Sequence, residues 1–354
     1  MESLQWDESF LRECVQSRND CIVYFTGIIG MITPLDLHVD SIIQQRLFGY
    51  RIGRRHRRGM GGQPLFWHAD IPRMVEAGYR GACLGIHYFP WESERGWREL
   101  NRQIDYVDEV VGADERVLRV RRPSDWQRAA RKGLLALAPG VEGAHMLAGK
   151  LERVERLAER GVAYLTLTHF SKNSAATPSM GRGANENDGL SDFGRRLIDA
   201  LEESGIVVDL AHVNTPGVLE ACERAGRPVL CTHTGVKGVH DHRRNISDAE
   251  IEAIADTGGV IGVIFAPIFL AGKLRASTEI VVDHIEYLVE RVGGRHVALG
   301  SDYDGWLPSI PRDQHDCRDI HRVAELLYAR GYPEELVERI FWRNALEVLS
   351  GRRG

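Results

Sequence analysis

Eight short apolar runs recur along the chain, each followed by a longer amphipathic stretch. They fall at 35–39, 81–88, 134–138, 162–168, 206–211, 228–232, 259–265 and 297–301. Each has strand length and is rich in Val, Ile and Leu, as expected of strands buried on both faces of a parallel sheet. The stretches between them repeat with helical period. Over 279–292, for example, Ile280, Val281, Ile285, Leu288, Val289 and Val292 share one face of a helix. Ser247 followed three residues later by Glu250 predicts a capping box, and Gly161, Gly205, Gly226 and Gly293 stand where left-handed helix ends are wanted. Strand and helix alternating about eight times predicts a (β/α)8 TIM-type barrel, a single α/β domain. An open doubly wound sheet would want a glycine-rich phosphate loop after an early strand, and the chain has none. The expected division is 34–354 for the barrel with its inserted loops and 1–33 for an N-terminal extension packing on it.

In such barrels chemistry sits at the C-terminal ends of the strands. Run one ends in His38 and Asp40, run three leads into Glu142, and runs four, five, six and eight end at His169, His212, His233 and Asp302. A lone histidine after a strand is more often a hydrogen-bonded structural group than a ligand. Six of eight ends carrying His, Asp or Glu read together as a site. His38 and Asp40, at i and i+2, leave the same face of a strand and can grip one ion. His212, His233 and a shared Glu142 supply a second, and this nitrogen and oxygen set suits Zn²⁺. Five protein ligands exceed the usual three of one catalytic zinc, so two ions are expected. Such a pair activates a bridging hydroxide and clamps the oxygen of a polarised carbonyl. Asp302 is the expected proton shuttle and His169 the donor to the developing oxyanion.

Composition narrows the partners. The chain has 354 residues, is 43% hydrophobic and 27% charged, and carries a formal net charge of -5. That profile fits a soluble globular protein and argues against disorder or a nucleic-acid binder. The first twenty residues are polar with no secretory pattern, no apolar run reaches membrane-spanning length, and the six cysteines show no close pairing. A reduced, cytoplasmic protein without a membrane partner is expected.

The motifs DLHVD (36–40), GVEG (140–143), YLTLTH (164–169), DLAHV (209–213), THT (232–234), RRN (243–245) and GSDYDG (300–305) resemble, in this order and spacing, the membrane (renal-type) dipeptidase family. That family comprises zinc peptidases with an amidohydrolase-like barrel. The resemblance implies His38 and Asp40 on one zinc, His212 and His233 on the other, and Glu142 on both. It also implies Asp302 as acid/base, His169 on the substrate carbonyl, Arg244 on the C-terminal carboxylate of a dipeptide ending in an L- or D-residue, and a homodimer. Three segments depart from the family pattern: GACLGIHYFP (81–90), IFAPIFL (264–270) and the loop 171–189. They are expected to line the side-chain pockets and to set specificity. A related metal-dependent amide hydrolase with a biosynthetic or detoxification substrate is the alternative.

Other polar features have plainer readings. Arg51, Arg54, Arg55, Arg57 and Arg58 around His56 suggest a phosphate or nucleic-acid patch, but a solvated loop is the more ordinary outcome. His240 and His242 are expected in supporting or exposed positions, His145 in the local turn, and Asp304 on backbone. Lys150 is an alternative bridging ligand, disfavoured because it lies in a polar helical stretch.

Overall fold

The computed structural model describes residues 32–57, 67–88, 91–305 and 310–351. The expected extension, 1–33, therefore lies almost wholly outside the described residues, as does Arg58. Among the described residues nine strands form one parallel sheet: β1 (Leu35–Val39), β2 (Gly81–Ile86), β3 (Val117–Arg119), β4 (Leu135–Glu142), β5 (Tyr164–Thr166), β6 (Val207–Asp209), β7 (Leu230–Thr234), β8 (Val260–Val263) and β9 (Val297–Leu299). Eight of them close into a barrel in the order β1, β2, β4, β5, β6, β7, β8, β9, with β9 returning to β1 through Asp36 and Leu299. Each of the eight apolar runs supplies one of these strands.

The ninth strand, β3, is an addition. It pairs with residues 135–137 on the edge of β4 that β5 takes over from Gly140. Pro139 stands at the changeover. The Leu137 carbonyl still accepts from Val120, and the Pro139 carbonyl already accepts from Ala163. Neighbouring polar groups of one residue face the same side in a parallel strand, so the missing N–H of Pro139 faces the gap between the two partners. A proline in a central strand is otherwise disfavoured.

Helices cover the outside of the barrel. In Glu279–Val292 the buried face is Val281, Val282, His284, Ile285 and Leu288, so it is turned from the expected stripe, and Ile280, Val289 and Val292 are only partly buried. His284 explains the turn. Its Nδ1 accepts from Val236 N–H and its Nε2 lies 3.0 Å from the Leu270 carbonyl, while burial pulls its pKa down to about 4. A neutral ring thus staples this helix to the loops after β7 and β8.

The capping box at Ser247 and Glu250 forms, and Gly161, Gly205 and Gly293 have positive φ. Gly226 does not: the helix Thr215–Arg224 ends on Ala225 in an extended conformation, which already turns the chain toward β7. Inside the barrel, Leu35, Leu37, Cys83, Ala136, Ala138 and Leu230 pack with Tyr164, and Trp126 reaches the start of β2. Cys83, Cys222, Cys231 and Cys317 are all free and buried.

The arginine loop is a solvated surface that is locally tethered. Arg51, Arg54 and Arg57 are exposed, Arg55 pairs with Glu76 at 2.7 Å, and His56 stacks on Tyr50. Beneath it Arg73 is fully buried between Asp70 and Asp316, at 2.7 and 3.3 Å.

Candidate metal centre

Strand ends bring the chemistry together. His38 lies on β1 and Asp40 just beyond it, so the two-residue alternation points both the same way, and His38 Nε2 is 3.1 Å from Asp40 Oδ1. Glu142 is the last residue of β4 and His233 lies within β7. His212 and Asp302 follow β6 and β9 with φ of 68° and 59°. Left-handed backbone in non-glycine residues is costly and gathers at functional sites. Gly85 on β2 makes room: a Cβ there would lie 2.2 Å from Asp40 Oδ1.

Glu142 is the hub. Its Oε1 lies 3.0 Å from His212 Nε2, 3.4 Å from His233 Nε2, 3.5 Å from His169 Nε2 and 3.7 Å from His38 Nε2. Asp302 Oδ1 is 4.0 Å from His38 Nε2. All seven residues expected from the six strand ends therefore meet. An eighth, His87, was not anticipated: its Nδ1 is 3.2 Å from Glu142 Oε2. It lies within the apolar run 81–88, where it reads as a residue inside a strand. The histidines at the ends of four other runs are the signal that could have singled it out.

Hydrogen bonds behind the site set the imidazole nitrogens. Thr232 Oγ1 donates to Asp209 Oδ2 at 2.9 Å, so His233 Nδ1 carries its hydrogen and donates to Thr232 Oγ1 at 2.9 Å. That leaves the Nε2 lone pair of His233 facing the site, 3.0 Å from His212 Nε2. Tyr164 Oη sits 2.6 Å from His38 Nδ1 and holds the orientation of that ring. Gly140 admits the tyrosine, since a Cβ there would lie 2.2 Å from its ring.

The electrostatics ask for a cation. Burial, together with Arg244 and His169, holds His212 well below its ordinary pKa, and burial with His38 does the same for His233, so both rings are neutral, as ligands must be. His38 goes the other way. Burial opposes its charge, but Asp40, Glu142 and Asp302 outweigh that and raise it to about 10. Burial and the neighbouring Asp40 push Asp302 well above the usual carboxylate range. Glu142 stays ionised against its burial because His169 and His38 face it. His38 Nε2, Asp40 Oδ1, Glu142 Oε2 and His87 Nδ1 are buried without a hydrogen-bond partner. Buried polar atoms without partners are expensive unless an ion takes them. The set of imidazole nitrogens and carboxylate oxygens fits divalent transition ions.

A cavity of about 370 Å³ opens over this cluster. Phe170, Met180, Ile264, Ile268 and Phe269 line it, together with His242 and Arg244. The loops that depart from the family pattern therefore do form its walls. Arg244 is 2% exposed; one Nη donates to the His233 carbonyl at 2.6 Å, and its Nε has no partner. Among the described residues no carboxylate pairs with it.

The supporting residues take the expected places. Lys150 pairs with Glu94 at 2.8 Å, away from the cluster. His145 Nε2 meets Ser171, tying its turn to the loop after β5. His242 Nδ1 accepts from Arg244 N–H. Asp304 accepts from His68 N–H at 2.8 Å, from Ala69 N–H and from Ser41 Oγ, which anchors the loop carrying Asp302.

Residues 32–352 match the family described as membrane dipeptidase (Peptidase family M19). Dipeptidase tcpJ of Claviceps purpurea (strain 20.1) is 31% identical over 301 residues, covering 80% of this chain and 69% of that protein. Two solved structures share the fold. One is a metallo peptidase from Rhodobacter sphaeroides liganded with a phosphinate mimic of the dipeptide L-Ala-D-Ala, at TM-score 0.80 and 22% identity over 91% of this chain and 99% of that one. The other is the probable dipeptidase PvdM from Pseudomonas aeruginosa, at TM-score 0.80 and 20% identity over 95% and 99%. The structures speak for the barrel, and the match along nearly the whole chain speaks for the chemistry. The chain belongs to the membrane dipeptidase family, Peptidase family M19, and is a metal-dependent dipeptidase.

Proposed function

We propose that the enzyme is binuclear, with two zinc ions, and hydrolyses dipeptides that have a free C-terminal carboxylate. His38 and Asp40 would hold one ion, His212 and His233 the other, and Glu142 both. When bound, the ions supply Lewis acidity toward the scissile carbonyl and an activated water. The chain's own side chains do the rest. Asp302 takes the proton of the attacking water and passes it to the leaving amine. His169, whose pKa burial lowers to about 4, is a neutral N–H donor to the carbonyl oxygen as it gains charge. Arg244 pairs with the C-terminal carboxylate, and the apolar wall receives the side chains.

The observation that carries this reading is Arg244. A guanidinium this deeply buried, with a free Nε and no carboxylate partner among the described residues, sits in the same small cavity as the metal cluster. A cavity of about 370 Å³ lies at the small end of the ~300–1,000 Å³ ligand range, which suits a dipeptide better than a longer chain. The Rhodobacter sphaeroides structure, with its L-Ala-D-Ala mimic, supports acceptance of a D-residue at the C-terminal position. No helix among the described residues is long and apolar enough to cross a membrane. The reading includes a cytoplasmic homodimer, which fractionation and light scattering would test.

Blocking the carboxylate tests the assignment. A charge-assisted pair contributes roughly 1.5–3 kcal/mol. Arg244→Met should therefore raise KM for a free dipeptide by about one to two decades, with a smaller change in kcat. A dipeptide amidated at its C-terminus should be poor for wild type and hardly worse for the variant. Equal cleavage of amidated and free dipeptides by wild type would instead favour the broader amide hydrolase.

A further inference from the structure

We infer that His87 is a further protein ligand of the ion shared by Asp40 and Glu142, and that it makes the two metal sites unequal. The inference rests on the binuclear reading and extends it. His87 follows β2, whose last residue, Ile86, pairs with Val141, so the strand register sets the ring beside Glu142. Its Nδ1 lies 3.2 Å from Glu142 Oε2 and 3.9 Å from Asp40 Oδ2. His38 Nε2 approaches the opposite oxygens of the same two carboxylates, at 3.1 Å from Asp40 Oδ1 and 3.7 Å from Glu142 Oε1.

These spacings suit one ion. His87 and one oxygen each of Asp40 and Glu142 lie within 4.8 Å of one another, close enough for one ion to touch all three, and His38 Nε2 adjoins the same two carboxylates. The ring is mostly buried, with 15% of its side chain exposed, and its Nδ1 has no hydrogen-bond partner. Gly85, two residues earlier, leaves the space that Asp40 occupies, so the end of β2 is shaped around this carboxylate.

The consequence is a division of labour. With His38, His87, Asp40 and Glu142, the first ion has four protein ligands. With His212, His233 and Glu142, the second has three. Closed four-ligand sites hold metal tightly, and three-ligand sites keep a position open for water or substrate. The first ion should bind tightly and the second should exchange.

Cobalt titration of the metal-free full chain tests this, with visible absorption and dialysis stoichiometry as readouts. Wild type should take up two ions in two steps of different affinity. His87→Gln should weaken the tighter step about tenfold or more and alter the visible bands of that ion, leaving the weaker step in place. Matching far-UV circular dichroism of the metal-free proteins would establish that the variant folds. His87→Asn, shorter still, should behave alike. Unchanged affinity and superposable bands in the variants would overturn the inference. Uptake of a single ion by wild type would overturn the binuclear reading alone. His87 would then still be judged by whether that one ion is weakened.

Discussion

Asp302→Asn is expected to lower kcat by about 10²- to 10⁴-fold, the range for loss of a positioned acid/base, with both ions retained. The side chain sits over the cluster, 7% exposed, with its backbone N–H held by the His38 carbonyl at 3.0 Å. Its φ of 59° is one that Asn adopts readily, so the substitution removes the ionisable oxygen without disturbing the turn. Burial and Asp40 favour the protonated form, and bound cations would favour the carboxylate. A group pulled both ways is suited to give and take a proton. A role confined to bond breaking shows in kcat and leaves KM close to wild type. A fall in kcat of less than tenfold, with metal content intact, would remove Asp302 from the proton path.

Glu142→Gln is expected to cost both ions at once. Among the described residues no other carboxylate lies within reach of His38, His87, His169, His212 and His233 together. Glutamine keeps the shape but removes the charge that, on the binuclear proposal, would balance two cations in a buried site. Loss of an outer partner of a ligand already costs about 10- to 100-fold in metal affinity, so loss of the shared ligand's charge should cost at least that at each site. Elemental analysis of reconstituted protein should approach two zinc per chain for wild type and fall for both ions together in the variant. Chelation should abolish wild-type activity and Zn²⁺ should restore it. Full occupancy of one site in Glu142→Gln would show that the ions do not share this carboxylate.

The barrel was readable because its strands are buried on both faces. Strands in that setting need continuous apolar residues, and their C-terminal ends advertise the polar ones. β3 escaped because three residues on the flank of β4 need no such run, and Val117–Arg119 lies in a basic stretch. The buried stripe of Glu279–Val292 differs from the expected one for a related reason. His284 counts as polar in a pattern, yet two hydrogen bonds let it occupy the core. Gly226 fits the composition of a helix cap, but Ala225 leaves the helix in an extended conformation before the glycine is reached.

The metal cluster was legible as residue types at strand ends, and His87 was not, because the apolar run continues past it to Tyr88 and hides where the strand stops. The contacts that orient the His38 and His233 rings depend on Tyr164 and Asp209 across the sheet, which no local pattern discloses. The partner of the Arg244 guanidinium is likewise absent from any sequence pattern. Only the fold reveals that none of the described residues offers it a carboxylate.

The four buried cysteines give the barrel an internal clock for its own opening. Only a thiolate reacts with an alkylating reagent, and burial raises Cys222 to about 12 and Cys83, Cys231 and Cys317 well above the ordinary range. Each therefore reports the moment its surroundings come apart. Cys222, on the outer helix Thr215–Arg224 and 8% exposed, should be modified through local fluctuation of that helix. Cys83 and Cys231 lie in β2 and β7, fully enclosed, and should wait for separation of the strands. Timed mass increments under native conditions would then resolve a fast outer event from a slow inner one, and added zinc should retard the slow event most. Simultaneous modification of Cys83 and Cys222 would mean that wall and staves give way as one unit.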